Sequence, residues 1–187
     1  MPAKFEAGAR PSVNVKFKLG FVEIDVPNIA GYAALRKDAP IAGPFLLIER
    51  SHGLALETDA RAQPFWKPWL ATVHGGLGQQ WGFRRPKLKV EEFTILSAVN
   101  GMALDATVEA DNGSPLVLWE SHGGPCQRWE VLPVPDGIGW MIATVHGDRR
   151  VLDVGEAAAP GQNLWMYDRR GMAHQQFLIV PVGRAPQ

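Results

Sequence analysis

The chain lacks several features that mark large classes of protein. Cys126 is the only cysteine among 187 residues, so no internal disulfide can form. The 19 basic and 19 acidic side chains cancel, which leaves no broad positive field for a nucleic acid. No apolar stretch approaches the length of a membrane span, and residues 1–20 carry scattered charges instead of the continuous apolar segment of a secretory signal. We therefore expect no nucleic-acid partner and no membrane span, and either a cytoplasmic location or a place in a bacterial or viral assembly.

Common catalytic signatures are also missing. The chain has no Gly-x-Ser-x-Gly, His-Glu-x-x-His or Cys-x-x-Cys motif and no phosphate-binding loop. The run at 75–78 is rich in glycine, but it lacks the lysine and the hydroxyl residue that hold a phosphate. We therefore predict that the protein is not an enzyme and that it needs no cofactor and no metal.

The feature that dominates the sequence is a threefold repeat with a period of 48 residues. Three sets of residues recur at this spacing. They are Gln79-Gln80-Trp81, Gln127-Arg128-Trp129 and Gln175-Gln176-Phe177; Leu56-Glu57, Leu104-Asp105 and Leu152-Asp153; and the apolar segments 45–48, 93–96 and 141–144. Self-similarity at a fixed period of this kind indicates one supersecondary unit that is used repeatedly to build a shared core.

Each copy contains four short apolar segments that are separated by turn residues. In the second copy the breaks lie at Asn100-Gly101, at 111–115 and at 123–125. No helical apolar period persists for three turns between 41 and 183, so long helices are not expected. Closing three copies of four strands about a pseudo-threefold axis removes exposed sheet edges. The sequence thus predicts an all-β domain over 41–187, with copies at about 43–90, 91–138 and 139–183.

Residues 1–40 form a separate N-terminal extension. Apolar and polar side chains alternate over 13–19, which predicts one strand, and the run 21–26 predicts a second. Residues 29–37 are compatible with a short helix that Asn28 caps. Because two strands alone are only marginally stable, we expect this arm to pack either on its own repeat domain or on a neighbouring subunit.

The block from about 41 to 183 resembles the ricin-type β-trefoil lectin domain, a family marked by three Gln-x-Trp motifs. The resemblance covers roughly three quarters of the chain, and Phe177 replaces the tryptophan of the third motif. It implies a β-trefoil in which each motif glutamine bonds backbone and each motif aromatic fills the core. The residues with this scaffold role are Gln79, Trp81, Gln127, Trp129, Gln175 and Phe177.

The resemblance also implies one shallow sugar site in each copy. An acid after the second strand accepts hydrogen bonds from sugar hydroxyls, an aromatic on the third strand stacks on the sugar ring, and a polar residue before the motif glutamine completes the contacts. The residues in these places are Glu57, Trp69 and Gly78 in the first copy, Asp105, Trp119 and Cys126 in the second, and Asp153, Trp165 and His174 in the third. The third set is the most complete, and Asp105 with Trp119 makes the second copy the next candidate.

Two histidines follow the same repeat. The tripeptide His74-Gly75-Gly76 recurs as His122-Gly123-Gly124, 48 residues further on. Because equivalent residues of separate copies lie apart, we interpret both histidines as loop residues and not as metal ligands.

Two functions remain open at this stage. One is a carbohydrate-binding module with weak, shallow sites for a galactose-type or other glycan, which gains affinity through multivalency. The other is a structural protein of a larger assembly, in which the trefoil is inert and residues 1–40 bind a protein partner or a second copy of the chain.

Overall fold

The computed structural model describes residues 14–19, 22–27, 41–85, 92–135 and 138–182, and the secondary structure in these ranges consists of strands and short 3-10 turns. The N-terminal arm contributes β1 Asn14–Leu19 and β2 Val22–Pro27. The first copy contributes β3 Ile41–Glu49, β4 Ala55–Glu57, β5 Trp69–Ala71 and β6 Gln80–Arg84. The second contributes β7 Glu92–Ser97, β8 Ala103–Asp105, β9 Ser114–Pro115, β10 Val117–Trp119 and β11 Trp129–Pro133. The third contributes β12 Trp140–Thr144, β13 Val151–Asp153, β14 Trp165–Tyr167 and β15 Phe177–Pro181.

The predicted β-trefoil is confirmed. The first and fourth strands of the three copies form a closed ring, in which β3 pairs with β6, β6 with β7, β7 with β11, β11 with β12, β12 with β15 and β15 with β3. The second and third strands form three hairpins, β4–β5, β8–β10 and β13–β14. A 3-10 turn precedes the fourth strand of each copy, at Leu77–Gln79, Pro125–Gln127 and Ala173–Gln175.

The motif aromatics fill the centre of the barrel. Trp81, Trp129 and Phe177 are completely buried in one hydrophobic cluster. The indole N–H of Trp81 donates to the carbonyl of Leu56 at 3.0 Å, and that of Trp129 donates to Leu104 at 3.1 Å. A phenylalanine has no such donor, so Phe177 keeps the apolar contact of the other two copies but not their hydrogen bond.

One predicted alignment is wrong by a single residue. Phe45 lies opposite Trp81 and Phe93 opposite Trp129, but Trp140, and not Met141, lies opposite Phe177. Since strand residues alternate between two faces, this step places Trp140 against the central core and Met141 in a separate cluster. The loop after β12 has one residue more than its counterparts, which restores the 48-residue step at the second strand.

The two strands that were predicted in the N-terminal arm are also confirmed. β1 and β2 pair antiparallel from Asn14 opposite Pro27 to Leu19 opposite Val22, and they make a two-stranded sheet of their own. The short helix that was expected over 29–37 lies outside the described residues. Among the residues that are described, no helix is long and apolar enough to cross a membrane.

Candidate functional site

Each motif glutamine joins its own loop to the acid of its own copy. In the first copy the Gln79 side-chain oxygen accepts the backbone N–H groups of His74 and Gly75. Its amide nitrogen donates to the Thr72 carbonyl and, at 2.9 Å, to the Glu57 carboxylate. The resemblance implied only the backbone contacts. The glutamine therefore has a second role, because it also orients the acid that the sequence proposes for sugar binding.

The same arrangement holds the aspartates of the other copies more rigidly. The Gln127 amide donates to Asp105 at 3.1 Å and the Gln175 amide donates to Asp153 at 2.8 Å. The second oxygen of Asp105 accepts the Thr107 backbone N–H, and that of Asp153 accepts the N–H of Gly155. A carboxylate has about four lone-pair sites, so each fixed aspartate keeps capacity to accept further hydrogen bonds.

A histidine accompanies the acid in every copy. The distance from the ring Nε2 to the carboxylate is 3.1 Å for His74 and Glu57, 3.7 Å for His122 and Asp105, and 3.6 Å for His174 and Asp153. In the first two copies this histidine comes from the loop, and only in the third does it come from the position before the motif glutamine. Arg170 occupies the loop position of the third copy.

The loop histidines are the site residues that the sequence interpretation missed. It interpreted His74 and His122 as loop residues and not as metal ligands, and the signal that could have placed them beside the acids is their own 48-residue repeat. The Nδ1 atoms of His74 and His122 accept the N–H groups of Gly76 and Gly124 at 3.1 and 3.0 Å. The neutral ring therefore carries its proton on Nε2, the nitrogen that faces the carboxylate. No cluster of potential metal ligands occurs in the described part of the chain.

The three tryptophans of the predicted sites do not occupy equivalent positions. Trp69 lies opposite Glu57 and Trp165 lies opposite Asp153 in their hairpins, whereas Val117 lies opposite Asp105. Trp119 lies two residues further along β10, at the place that Tyr167 occupies in the third copy. Because residues two apart on a strand share a face, Trp119 still faces the same side as Val117. The third copy is the one with an aromatic ring at both positions.

Two cavities contain the predicted residues of the second and third copies. The third-copy cavity measures about 300 Å³ and brings Asp153, Trp165 and His174 together with Tyr167 and Arg170. The second-copy cavity is larger, at about 660 Å³. Its wall contains Asp105, Trp119, His122 and Cys126 from the second copy, and Phe65 and Lys67 from the first.

The thiol of Cys126 in the larger cavity is held in its protonated form. Partial burial, and then the negative charge of Asp105, raise the pKa of Cys126 above its ordinary value. Since the thiolate is the reactive species, Cys126 is a weak nucleophile at neutral pH. It contributes a small, weakly polar surface to the cavity and reacts slowly with alkylating reagents.

Comparison with known proteins agrees with this architecture. Residues 77–167 match the model of the ricin-type beta-trefoil lectin domain-like family. No curated protein gives a significant match. The designed threefold-symmetric protein ThreeFoil is similar with a TM-score of 0.67 and 24% identity, over 77% of this chain and all of that one.

Two natural lectins are also similar in structure. The Macrolepiota procera ricin B-like lectin, solved in complex with lactose, has a TM-score of 0.63 and 17% identity, over 74% of this chain and 94% of that one. The C-half of the earthworm R-type lectin, solved in complex with GalNAc, has a TM-score of 0.57 and 19% identity, over 74% of this chain and 98% of that one. At such identities the likeness extends to the fold and not to individual binding residues.

Proposed function

We propose that this chain, whose residues 41–182 form a ricin-type β-trefoil, is a non-catalytic carbohydrate-binding module with its main site in the third copy. The observation that carries the proposal is the third-copy cavity, in which Asp153, Trp165 and His174 meet. The carboxylate there is fixed by Gln175 and by the N–H of Gly155, so it is already oriented before a ligand arrives. A preorganised acceptor loses little freedom when it binds a hydroxyl.

Each side chain in this cavity has a distinct part in the proposed binding mode. Asp153 accepts hydrogen bonds from two hydroxyls of the sugar, since both of its oxygens retain acceptor capacity. The half-buried Trp165 and the exposed Tyr167 offer ring faces to the apolar C–H surface of the sugar. His174 and Arg170 supply donors at the edge of the ring.

A galactose-type sugar is the first ligand to test. The lectins of similar fold were solved with lactose and with GalNAc, and both of these sugars contain a galactose-type ring. We propose the same class of ligand for the third-copy site, with weak affinity for a single ring because the cavity is small. Useful affinity then comes from several sites that engage one glycan surface.

We propose that the acid of each copy acts in binding and not in catalysis. Glu57, Asp105 and Asp153 lie in three different hairpins, and each bonds the glutamine of its own copy. Glycoside hydrolysis requires two carboxyl groups about 5–10 Å apart on either side of one bond. We propose that these acids act separately as hydrogen-bond acceptors. The exposed Glu156 shares the third-copy cavity with Asp153, so the proposal is checked by incubating the purified protein with lactose and measuring whether galactose is released.

Substitution of the acid tests this function directly. We expect Asp153→Asn to weaken lactose binding by about tenfold or more, because a charged acceptor is replaced by a neutral amide. The measurement is calorimetric titration of the purified protein with lactose and with GalNAc, after circular dichroism has shown that the variant is folded. Asp105→Asn, the same change in the second copy, serves as the matched control and is expected to have the smaller effect. Unchanged lactose affinity in folded Asp153→Asn would show that the third-copy assignment is wrong.

A second function is favoured by the N-terminal arm. Among the strands that the structure describes, β1 and β2 form a two-stranded sheet separate from the sheet of the trefoil. Because an isolated hairpin is only marginally stable in water, we propose as the alternative that residues 1–40 attach an inert trefoil to a larger assembly.

A further inference from the structure

The second-copy cavity takes part of its wall from the first copy, through a loop contact whose hydrogen bond is repeated in all three copies. The loop between the second and third strands of one copy donates a backbone N–H to the third-strand segment of another. The three equivalent bonds run from Phe65 to the carbonyl of Leu118 at 3.0 Å, from Gly113 to Met166 at 2.9 Å and from Gly161 to Leu70 at 2.7 Å. The donors are 48 residues apart, so the same contact is repeated around the pseudo-threefold axis. The loop of the first copy therefore reaches the cavity of the second.

Phe65 occupies a loop position whose backbone conformation favours glycine. The φ angle is 67° at Phe65, 87° at Gly113 and 88° at Gly161, so the backbone is left-handed in all three copies. Glycine adopts this conformation freely, whereas a residue with a Cβ atom is strained in it. Two copies use glycine, and the first copy carries a large aromatic residue. Strain of this kind is concentrated at ligand sites, where the surroundings impose it.

A second strained residue lines the same cavity. Thr107 has a φ angle of 61°, and its equivalent in the third copy is Gly155, with a φ angle of 75°. Both Phe65 and Thr107 contribute to the wall of the second-copy cavity. The corresponding positions for the third copy are Gly113 and Gly155. The second-copy cavity thus has side chains at both left-handed positions, Phe65 and Thr107, whereas glycine occupies both of the equivalent positions, Gly113 and Gly155.

The Phe65 ring builds an apolar corner beside a polar group. It packs edge-on against Trp119, with the ring centroids 4.4 Å apart and the ring planes at 74°. The residue nevertheless remains 67% exposed, so the ring contributes little to burial on folding. Asp105 and His122 line the same cavity. One wall is therefore aromatic and another is a fixed carboxylate, which is a surface for a ligand with one polar and one apolar part.

We propose that Phe65 is a specificity-determining residue that the first copy contributes to the site of the second, and that this site takes a glycoside with an apolar group attached to the sugar ring. The sugar hydroxyls donate to Asp105, and the apolar group lies on the corner between Phe65 and Trp119. The proposal rests on the carbohydrate-binding function above and gives the second-copy site its own ligand class. The third-copy cavity has no side chain at the equivalent loop position, Gly113.

Cys126 provides a probe that reports on this cavity alone. It is the only cysteine of the chain and it lines the second-copy cavity, so a bound ligand slows its alkylation by iodoacetamide. The ligands to compare are phenyl β-galactoside and methyl β-galactoside. We expect the phenyl glycoside to protect Cys126 at about tenfold lower concentration, because its ring covers apolar surface. In Phe65→Gly and in Phe65→Ala we expect this preference to disappear. Equal protection by the two glycosides in the wild type, or a preference that survives in both variants, overturns the proposal.

Thermal unfolding separates a binding role of Phe65 from a structural one. Phe65→Gly removes the strain and Phe65→Ala retains it, while both remove the ring. We expect Phe65→Gly to melt no lower than the wild type and Phe65→Ala to melt about 2–4 °C below Phe65→Gly. If the ring serves only the fold, both variants melt well below the wild type, and the proposal is wrong.

The test also distinguishes this proposal from the function on which it rests. Asp153→Asn changes the third copy, so we expect it to leave the protection of Cys126 by phenyl β-galactoside unchanged. If Asp153→Asn abolishes calorimetric binding of lactose but no glycoside protects Cys126, the role of Phe65 is wrong and the proposed function stands. If phenyl β-galactoside protects Cys126 while lactose binding does not depend on Asp153, the third-copy assignment is wrong and the role of Phe65 stands.

Discussion

At the scale of single residues, the three copies differ in the side chains that surround the acid of each hairpin. The buried ends of the hairpins repeat closely, since Leu56, Leu104 and Leu152 are all completely buried. The residues that directly follow these leucines are all acids, but their neighbours change from copy to copy. The position before the motif glutamine is the clearest case, because it is Gly78, Cys126 or His174. The acid is thus repeated in every copy while its surroundings differ, and we propose that the surrounding side chains determine what each acid binds.

The charge of Asp105 has a measurable effect on Cys126. A neighbouring anion disfavours a thiolate, so removing the charge lowers the pKa of the thiol and increases the thiolate fraction at any pH below that pKa. We expect Asp105→Asn to speed alkylation of Cys126 by iodoacetamide at pH 7.5 by about two- to tenfold. Burial is the larger cause and remains, so the pKa stays above the ordinary value.

The control for this measurement is the equivalent change in another copy. Asp153→Asn removes a charge of the same kind from a hairpin that does not contact Cys126, and we expect the alkylation rate to stay at its wild-type value. A pH–rate profile of each variant gives the pKa itself. An unchanged profile in Asp105→Asn would contradict the electrostatic contribution.

At the scale of elements, the 3-10 turn before each fourth strand carries the motif glutamine, which connects the barrel to the acid of the hairpin. The Gln175 side chain is completely buried. Its oxygen accepts the backbone N–H groups of Arg170 and Gly171. Its amide nitrogen donates to the backbone carbonyl of Asp168 and to the carboxylate of Asp153. A buried polar group is costly when its partners are removed, so these four bonds act together.

Truncation of this glutamine tests the coupling between fold and site. We expect Gln175→Ala to lower the free energy of unfolding by about 2–5 kcal/mol, because it removes four hydrogen bonds of a buried side chain, including the one that Asp153 accepts from Gln175. We also expect weaker lactose binding in the folded variant, since Asp153 loses its orientation. Denaturant titration and calorimetry measure the two effects.

Gln80→Ala is the matched control for that substitution. The Gln80 side chain donates to the Gly75 carbonyl, it is half-buried, and it does not contact an acid. We expect its removal to cost about 1 kcal/mol or less and to leave binding unchanged. Equal losses in Gln80→Ala and Gln175→Ala would show that the bond to the acid is unimportant.

Sequence reasoning captured the elements whose position the repeat determines. The Gln-x-Trp motifs and the Leu-acid pairs gave the number of copies, the strands and the buried aromatics, because a shared core demands the same residues at the same step. The register of β12 was wrong, because an apolar run such as 140–144 shows no clear alternation from which its inward face can be chosen. The partnership of Phe65 with Trp119 could not be predicted, since it depends on how a loop of one copy crosses to another.

At the scale of the whole molecule, the closed barrel and the N-terminal hairpin are two separate sheets. The barrel joins its own ends, because β15 pairs with β3 from Phe177 opposite Glu49 to Pro181 opposite Phe45. The hairpin is not part of that closure. The two proposed functions therefore belong to different parts of the chain and can be tested separately.

Removal of the arm tests the assembly function. If residues 1–40 attach the trefoil to a second copy or to a partner, we expect their deletion to reduce the molar mass measured by light scattering to that of a monomer. The far-ultraviolet circular dichroism of the remaining domain is expected to keep its β-sheet character, because the ring of strands begins at β3. The same oligomeric state before and after deletion would exclude self-association through the arm.

The crossing of loops between copies has a consequence for how the copies depend on one another. In the role that we propose for Phe65, a substitution in one loop changes the wall of the neighbouring copy's cavity and leaves the acid and the glutamine of its own copy untouched. Phe65 illustrates this, because the residue belongs to the first copy and its ring lies in the second. A change in the first copy can thus act on the cavity of the second, so these two copies are linked through their surfaces as well as through their shared core.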